Sequence, residues 1–205
     1  MRGKLIILFG IDGSGKTTVL NMLKLSNFSN IMYSSCMSNS VFEEELYTAE
    51  MLLHFSRKDI YSREYKHWLH IGGVIYNMYN KILPMLEDGI NVVLDRYTIC
   101  IRLFANLFLE PSFFCITEAL KCLPFPDLGI YFDTDVDVAA KRILMRNENA
   151  LLHYSESKDA LLMKKKGYEE MIKNEPYKIR KVNSNQNIHI VYNSVVEILK
   201  KDICI

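Results

Sequence analysis

The sequence of 205 residues contains few cysteines and no excess of charge of either sign. Its five cysteines are odd in number, widely spaced and include no C-x-x-C pair, which argues against a disulfide framework and against a zinc site. Lys and Arg number 25 against 24 Asp and Glu, and a net charge of +1 excludes the broad basic surface with which proteins hold nucleic acid. We therefore expect a cytoplasmic protein that binds no nucleic acid and whose anionic ligands are small.

Long hydrophobic runs are absent as well. The most apolar internal stretch, residues 99–116, is interrupted by Arg102, Glu110 and Pro111, so it is not suited to crossing a bilayer. The apolar run at the start of the chain ends at Gly10 without a small-residue cleavage site, which is typical of a first strand and not of a signal peptide. The sequence thus predicts no attachment to a membrane.

Hydrophobic side chains make up 49% of the sequence. They are enough to bury a substantial core, and the length favours a single domain, residues 1–205. Short apolar runs predict strands at residues 5–9, 91–94, 128–132 and 188–191, with a weaker one at 30–34. Helical periodicity predicts helices at residues 65–86, 136–145, 160–172 and 194–200. This alternation indicates an α/β fold with a doubly wound parallel sheet of about five strands flanked by helices.

Local signals refine this prediction. Gly89 follows the long middle helix and predicts its end. Trp68, Tyr76 and Tyr79 share one stripe of that helix, and we expect them to pack in the core. Ser194, with a glutamate three residues later, has the spacing of a capping box and predicts the start of the last helix.

The segment LFGIDGSGKTTVL, residues 8–20, contains the motif G-x-x-x-x-G-K-[ST] between a predicted strand and a predicted helix. In this context the motif is typical of a P-loop, in which backbone N–H groups and the helix N-terminus surround the phosphates of a nucleotide. Lys16 would contact the outer phosphates, and the Thr17 hydroxyl would bind the Mg²⁺ that bridges them. The residues predicted to bind ATP are Gly10, Asp12, Gly13, Ser14, Gly15, Lys16, Thr17 and Thr18.

The segment VVLDRY, residues 92–97, places a carboxylate at the end of a buried strand, where parallel sheets bind their ligands. Asp95 is predicted to hold Mg²⁺ through water. Arg96 follows it, and a cation beside the metal is suited to a phosphate group, whereas a second acid would be suited to activating water. The pair favours phosphoryl transfer over hydrolysis, and the sequence lacks the N-K-x-D motif of a GTPase.

The segment AAKRILMRNE, residues 139–148, places Arg142 and Arg146 four residues apart on one face of a predicted helix. Their guanidinium groups either close over a transferring phosphoryl group or form a solvated basic face, and the residues alone leave both interpretations open. The polar segment that follows, residues 147–158, lies between two predicted helices and is predicted to be the most mobile part of the chain. A later lysine run, residues 164–166, is predicted to be a solvated helix face.

Together these motifs resemble the thymidylate kinase family of P-loop nucleoside monophosphate kinases. The resemblance spans nearly the whole chain and is strongest in four blocks: GIDGSGKTT (10–18), DRYT (95–98), PDLGIYFDTDVDVAAKRILMR (126–146) and VNSNQNIHIVYNSVVEIL (182–199). It implies a P-loop NTPase-type fold with a LID over ATP at about residues 142–158. It also implies a homodimer formed through helices that flank the sheet.

The resemblance assigns roles to individual residues. It implies that Lys16, Asp95, Arg96, Arg142 and Arg146 are catalytic, with Mg²⁺ held by Thr17 and Asp95. The two helix arginines take this role because Ser14 stands where some members have a P-loop arginine. The acceptor nucleotide would bind to Asp12, His70, Arg96, Tyr97 and Phe104.

The sequence departs from the family where the acceptor is recognised. In the stretch ICIRLFA, residues 99–105, Ala105 stands in place of the amide that reads thymine. His70 replaces an aromatic residue that stacks on the base, and Val74 replaces an arginine that binds its phosphate. Cations that lie near enough in the sequence to substitute for that arginine are Arg57, Lys58, Arg63, Lys66, His67 and Arg102.

The sequence therefore predicts an ATP- and Mg²⁺-dependent phosphotransferase whose default acceptor is a nucleoside monophosphate such as dTMP. Two alternatives stay open. One is a kinase of the same fold that acts on a nucleoside or another small hydroxyl compound. The other is a module that binds nucleotide without catalysis.

Overall fold

The computed structural model describes residues 1–26, 28–35, 63–109, 115–146 and 154–203. Within them, five parallel strands form one sheet in the order β2-β3-β1-β4-β5. The strands are β1 (Leu5–Phe9), β2 (Ile31–Ser35), β3 (Asn91–Asp95), β4 (Leu128–Asp133) and β5 (Lys178–Asn183). The predicted doubly wound parallel sheet is confirmed.

Helices cover both faces of the sheet. They are α1 (Lys16–Leu25), α2 (Arg63–Asn77), α3 (Leu83–Glu87), α4 (Thr98–Phe108), α5 (Cys115–Ala119), α6 (Val136–Arg146), α7 (Lys158–Met171) and α8 (Ile188–Ile203). Short 3₁₀ turns lie at Leu120–Cys122, Tyr154–Glu156 and Ile172–Asn174. No helix in the described ranges is long and apolar enough to cross a membrane.

The central strand β1 divides the core into two layers because its side chains alternate between the faces of the sheet. Leu5, Ile7 and Phe9 pack with α2, α4 and α7, whereas Ile6 and Leu8 pack with α1 and α8. All five side chains are buried, and a fully buried aliphatic or aromatic side chain contributes about 1.5–3 kcal/mol. This double burial fixes the carboxyl end of β1, from which the P-loop continues.

The predicted helix at residues 65–86 is interrupted by a π turn. Helix α2 passes through Met78–Ile82 into α3. Pro84 has no N–H and its ring would clash with the carbonyl of Asn80 in a regular helix, so a wider turn is the local solution. Gly89 follows with φ at 81° and donates its N–H to Leu86 O at 3.1 Å, ending the helix where the sequence predicts.

Two predictions about the last elements are wrong. Residues 188–191 do not form a strand, because they are the first residues of α8. Asn187 caps this helix: its Oδ1 accepts a hydrogen bond from His189 N at 2.9 Å, and its carbonyl oxygen accepts from the next two backbone N–H groups. Ser194 lies inside that helix, and its hydroxyl donates a hydrogen bond to Ile190 O. The last strand is β5, which is largely exposed along its length because it forms the edge of the sheet, so it shows no apolar run.

The aromatic stripe of α2 is not in the core. Trp68, Tyr76 and Tyr79 are 39%, 41% and 49% exposed, and Tyr65, at helical spacing from Trp68, is 47% exposed. The core face of α2 instead carries aliphatic side chains such as Ile71 and Val74. The prediction that these aromatics are core residues is therefore wrong.

Candidate active site

The loop between β1 and α1 folds around the ammonium group of Lys16. Its Nζ donates to Gly10 O at 3.0 Å, to Ile11 O at 2.8 Å and to Ser14 Oγ at 2.8 Å. Burial, and after it the nearby Arg96 guanidinium, lowers the pKa of Lys16 to about 8. The group is still charged at neutral pH, and phosphate oxygens can replace its backbone acceptors.

The loop also touches the helix that carries the predicted LID arginines. Gly13 has φ at 75°, and a Cβ there would lie 2.5 Å from Ala139 O of α6. Only glycine fits this backbone without strain. On the other side of the loop, the Ser184 hydroxyl donates to Ser14 O and joins the loop to the segment after β5.

Thr17 and Asp95 form a pair of oxygen ligands at the junction of α1 and β3. The Thr17 hydroxyl donates to Asp95 Oδ2 at 2.6 Å, and Asp95 Oδ1 is buried without a hydrogen-bond partner. Mg²⁺ prefers such oxygen ligands and commonly takes only one or two from the protein. These residues fit Mg²⁺, and the described part of the chain has no cluster of three or more His, Cys, Asp and Glu side chains that would hold another metal.

A second charged cluster lies beside the loop. Asp12 accepts hydrogen bonds from Arg96 and, at 2.5 Å, from Lys164 Nζ. Burial alone would raise the pKa of the Asp12 carboxyl, but the charges of Arg96, Lys164 and Lys16 outweigh burial and hold that pKa below its usual value. Asp12 is therefore a permanent anion between cations, and Arg96 reaches it from a backbone with φ at 69°.

Lys164 is not on a solvated face, so that prediction is wrong. Its side chain is 10% exposed, and Nζ also donates to Ser155 O at 2.8 Å. The signal was present in the sequence, because Leu161, Lys164 and Tyr168 follow the three- and four-residue spacing of one helix face, and all three are buried. Lys165 also has partners, Thr134 O at 3.1 Å and the Asp133 carboxylate at 3.0 Å.

The two arginines of α6 are held differently. Arg142 donates to Ser184 O at 2.9 Å and to Gln186 O at 3.4 Å, so backbone carbonyls after β5 fix its guanidinium. Within the described part of the chain, Arg146 forms an ion pair with Glu156 at 3.0 Å, and its side chain is 62% exposed. Residues 147–153 of the predicted LID lie outside the described residues.

Two cavities meet at Asp12 and Arg96. The first, which we call the donor cavity, has a volume of about 390 Å³ and is lined by Asp12, Gly13, Gly15, Lys16, Thr17, Thr18, Arg96, Arg142, Ile143, Arg146 and Ile188. The second, the acceptor cavity, has a volume of about 270 Å³ and is lined by Asp12, His67, Arg96, Cys100, Ile101, Phe104, Ser155 and Lys164. Asp12 and Arg96 belong to both walls.

Of the predicted acceptor residues, Asp12, Arg96 and Phe104 line the acceptor cavity, whereas His70 and Tyr97 do not. Tyr97 is fully buried, and its hydroxyl donates to Pro124 O at 2.9 Å. His67, about one helical turn before His70, stacks on Phe104 with ring centroids 5.1 Å apart. The sequence identifies His67 only as a possible replacement cation.

The charge state of His67 follows from its surroundings. Burial, and after it His70, lowers the pKa of His67 to about 4. The imidazole is therefore neutral at pH 7, and it contributes a flat ring to the cavity without adding positive charge.

Comparison with known proteins decides the family. The family model described as thymidylate kinase matches residues 9–195. The chain belongs to the thymidylate kinase family. Among its relatives in this family, the thymidylate kinase of Clostridium novyi is 26% identical over 204 residues, covering 97% of this chain and 99% of that protein. The thymidylate kinase of Mycoplasma capricolum is 26% identical, covering 93% and 91%.

Solved thymidylate kinases share the fold. That of Ehrlichia chaffeensis superimposes with a TM-score of 0.69 at 15% identity, covering 98% of this chain and 99% of the other. That of Candida albicans gives a TM-score of 0.72 at 20% identity, covering 98% and 92%. The predicted resemblance to the thymidylate kinase family is thus confirmed.

Proposed function

We propose that this member of the thymidylate kinase family transfers the γ-phosphoryl group of ATP to a nucleoside monophosphate, with dTMP as its acceptor. The observation that carries the proposal is the shared wall of the two cavities. A phosphotransferase needs donor and acceptor sites that meet at a charged point, and the Asp12–Arg96 pair lines both. One cavity has P-loop residues in its wall, and the other has a stacked aromatic pair suited to a base.

In the donor cavity, the P-loop backbone and Lys16 would bind the ATP phosphates. Arg142 is held by the carbonyls of Ser184 and Gln186, so it would stay beside the nucleotide away from the transferring group. The exposed guanidinium of Arg146 has one ion-pair partner among the described residues, the carboxylate of Glu156, which it can exchange for a phosphate. Arg146 is therefore our choice for the arginine that stabilises the equatorial oxygens of the transferring phosphoryl group.

Thr17 and Asp95 would hold Mg²⁺, Thr17 through its hydroxyl and Asp95 through the buried oxygen that has no partner. When bound, Mg²⁺ neutralises charge on the β- and γ-phosphates. Lys16, close to both residues, adds a fixed positive charge to the same oxygens.

In the acceptor cavity, the base would lie against Phe104 and His67, and the ionised Asp12 would accept a hydrogen bond from a sugar hydroxyl. Arg96 would face the acceptor phosphate. Phosphoryl transfer depends mainly on positioning and charge stabilisation. The fixed Asp12–Arg96 pair supplies both at the point where the cavities meet.

The test is ADP formation by the purified protein with Mg²⁺ and ATP, screened against dTMP, the other nucleoside monophosphates and the free nucleosides. We expect turnover with dTMP and a loss of at least about 100-fold in kcat/KM for Lys16→Ala and for Arg96→Ala. Lys166→Ala is the control, because Lys166 is exposed on α7. Turnover with free nucleosides alone would establish the alternative acceptor. ATP binding without turnover of any acceptor would indicate a non-catalytic module.

We also propose that the chain works as one P-loop kinase domain, residues 1–205, in a cytoplasmic homodimer that binds no nucleic acid. An exposed aromatic stripe, formed by Tyr65, Trp68 and Tyr76 of α2 and by Tyr79 of the π turn that follows, supports the dimer, because such a face is suited to burial against a second copy. The thiols of Cys100 and Cys122 are free, which supports a reducing compartment.

A further inference from the structure

The acceptor proposed above carries a phosphate, yet the position that the family resemblance assigns to its arginine holds no cation. Val74 is fully buried in the layer of the core that lies under α2 and α4. An uncharged side chain with no access to a cavity cannot bind a dianion. If the acceptor is a nucleotide, another cation must assist Arg96.

The described replacement cations do not fit this role. Arg102 is bound to Glu175 at 2.5 Å and does not line the acceptor cavity. His67 lines that cavity but is neutral at pH 7, because its pKa is lowered to about 4 by burial and by His70. Arg57 and Lys58, and the side chains of Arg63 and Lys66, lie outside the described residues.

Lys164 has the properties that the role requires. It lines the acceptor cavity, its side chain is 10% exposed, and Ser155 O and Asp12 Oδ2 anchor its ammonium. The group carries three N–H donors, of which these contacts use two. Lys164 therefore brings a fixed charge with a remaining donor from α7 into the wall of the acceptor cavity.

The charge balance of the pocket also favours an anion. Arg96 and Lys164 bind opposite oxygens of one carboxylate, Asp12, so the three groups carry a net charge of +1. A buried charge without a counterion is costly, and a bound anion removes that cost. A phosphate between Arg96 and Lys164 would complete the arrangement with charge-assisted hydrogen bonds.

Building on the proposed function, we infer that Lys164 binds the acceptor's phosphate and makes the enzyme select a phosphorylated acceptor over the free nucleoside. Lys164 thus supplies from α7 the charge that Val74 does not supply from α2. Asp12 orients the ammonium of Lys164 so that it is directed toward the phosphate when the acceptor binds.

The experiment compares two ligands that differ only in the phosphate, dTMP and thymidine, by calorimetric titration of the wild type, Lys164→Met, Lys164→Arg and Lys166→Met. For the wild type we expect dTMP to bind more tightly than thymidine. Lys164→Met should reduce that preference by about 10- to 100-fold, the value of a lost charged hydrogen bond. The affinities of Lys164→Met for thymidine and ATP should change little. Lys164→Arg should retain part of the preference for dTMP, and the control Lys166→Met should retain all of it.

The outcomes separate this inference from the proposed function. A wild-type preference for dTMP that survives in Lys164→Met would overturn the role of Lys164, and so would equal binding of dTMP and thymidine by the wild type. If the wild type forms no dTDP but its preference for the phosphate depends on Lys164, the proposed reaction fails and the phosphate site stands. Parallel loss of dTMP, thymidine and ATP binding in both Lys164 variants would assign Lys164 a purely structural role and overturn the inference.

Discussion

Asp12 is the residue on which both cavities depend, and it shows how a single side chain acquires a role from its surroundings. Its two cationic partners come from distant segments, Arg96 after β3 and Lys164 in α7. Partly buried ion pairs contribute little to folding stability because desolvation offsets their attraction. The cluster is better explained by what it offers a ligand, namely fixed charges at the junction of two sites.

His67 gives a pH-dependent prediction at the same scale. Its pKa is about 4 in the folded protein and 6.5 in an ordinary peptide, so the unfolded chain takes up a proton first as the pH falls. The contribution of neutral His67 to the free energy of unfolding is therefore fully present above about pH 6.5 and is lost as the pH falls from about 6.5 to 4. Between pH 7 and pH 5 the loss due to His67 should be about 2 kcal/mol.

Urea denaturation of the wild type and of His67→Phe, each at pH 7 and pH 5, measures this contribution. Phenylalanine keeps a ring against Phe104 but cannot be protonated. We expect the wild type to lose about 2 kcal/mol more than the variant over this range. Equal losses in the two proteins would show that His67 is not held neutral by the fold.

At the scale of elements, α6 and α7 add three cations to the two cavities, Arg142 and Arg146 to the first and Lys164 to the second. Helix α6 packs against the P-loop at Gly13, and α7 packs against both α4 and α6. The acceptor cavity meets α2 at His67, one turn nearer the N-terminus of that helix than the predicted His70. Helix packing, which depends on contacts between distant segments, decides which turn of each helix faces the ligand.

Substitutions of the two arginines of α6 should have different kinetic effects. Arg146→Ala should lower kcat by at least about 100-fold with a smaller change in the KM for ATP, because the proposed role of Arg146 is to contact the transferring phosphoryl group. Arg142→Ala should chiefly raise the KM for ATP. Lys141→Ala is the control, because Lys141 is exposed on α6. The free energy of unfolding should change by no more than about 1 kcal/mol in this control and in Arg146→Ala, since exposed ion pairs are weak.

Steady-state kinetics with varied ATP and saturating acceptor, together with thermal denaturation, tests this assignment. A large fall in kcat for Arg142→Ala with near-normal kcat for Arg146→Ala would reverse the roles of the two residues.

At the scale of the whole molecule, the aromatic stripe of α2 predicts an assembly. The wild type should sediment as a dimer, and Trp68→Glu should shift it toward monomer because a charge would be buried at the interface. Phe125→Glu is the matched control, since Phe125 is a 69% exposed aromatic outside α2. A monomeric wild type, or a Trp68→Glu dimer of unchanged stability in sedimentation velocity, would contradict the proposed interface.

Much of the fold and of the donor cavity was predictable because the causes are local. β1 is a short apolar run, the P-loop is a spacing of glycines followed by Lys16, and Arg142 and Arg146 share a helix face through a separation of four residues. The wrong predictions concern elements whose burial depends on how distant segments pack together. The edge strand β5 shows no apolar run, and residues 188–191 look like a strand although the cap at Asn187 begins a helix there.

The sequence by itself determined the α/β class, the P-loop and the likeness to the thymidylate kinase family, because each depends on residues close together in the chain or on a motif with fixed spacing. Only the tertiary structure decided the composition of the acceptor cavity. There the packing of α2, α4 and α7 places His67 and Lys164 beside Asp12 and turns Tyr97 into the core. A lysine becomes part of a binding site, and not of a solvated surface, only when distant helices enclose it.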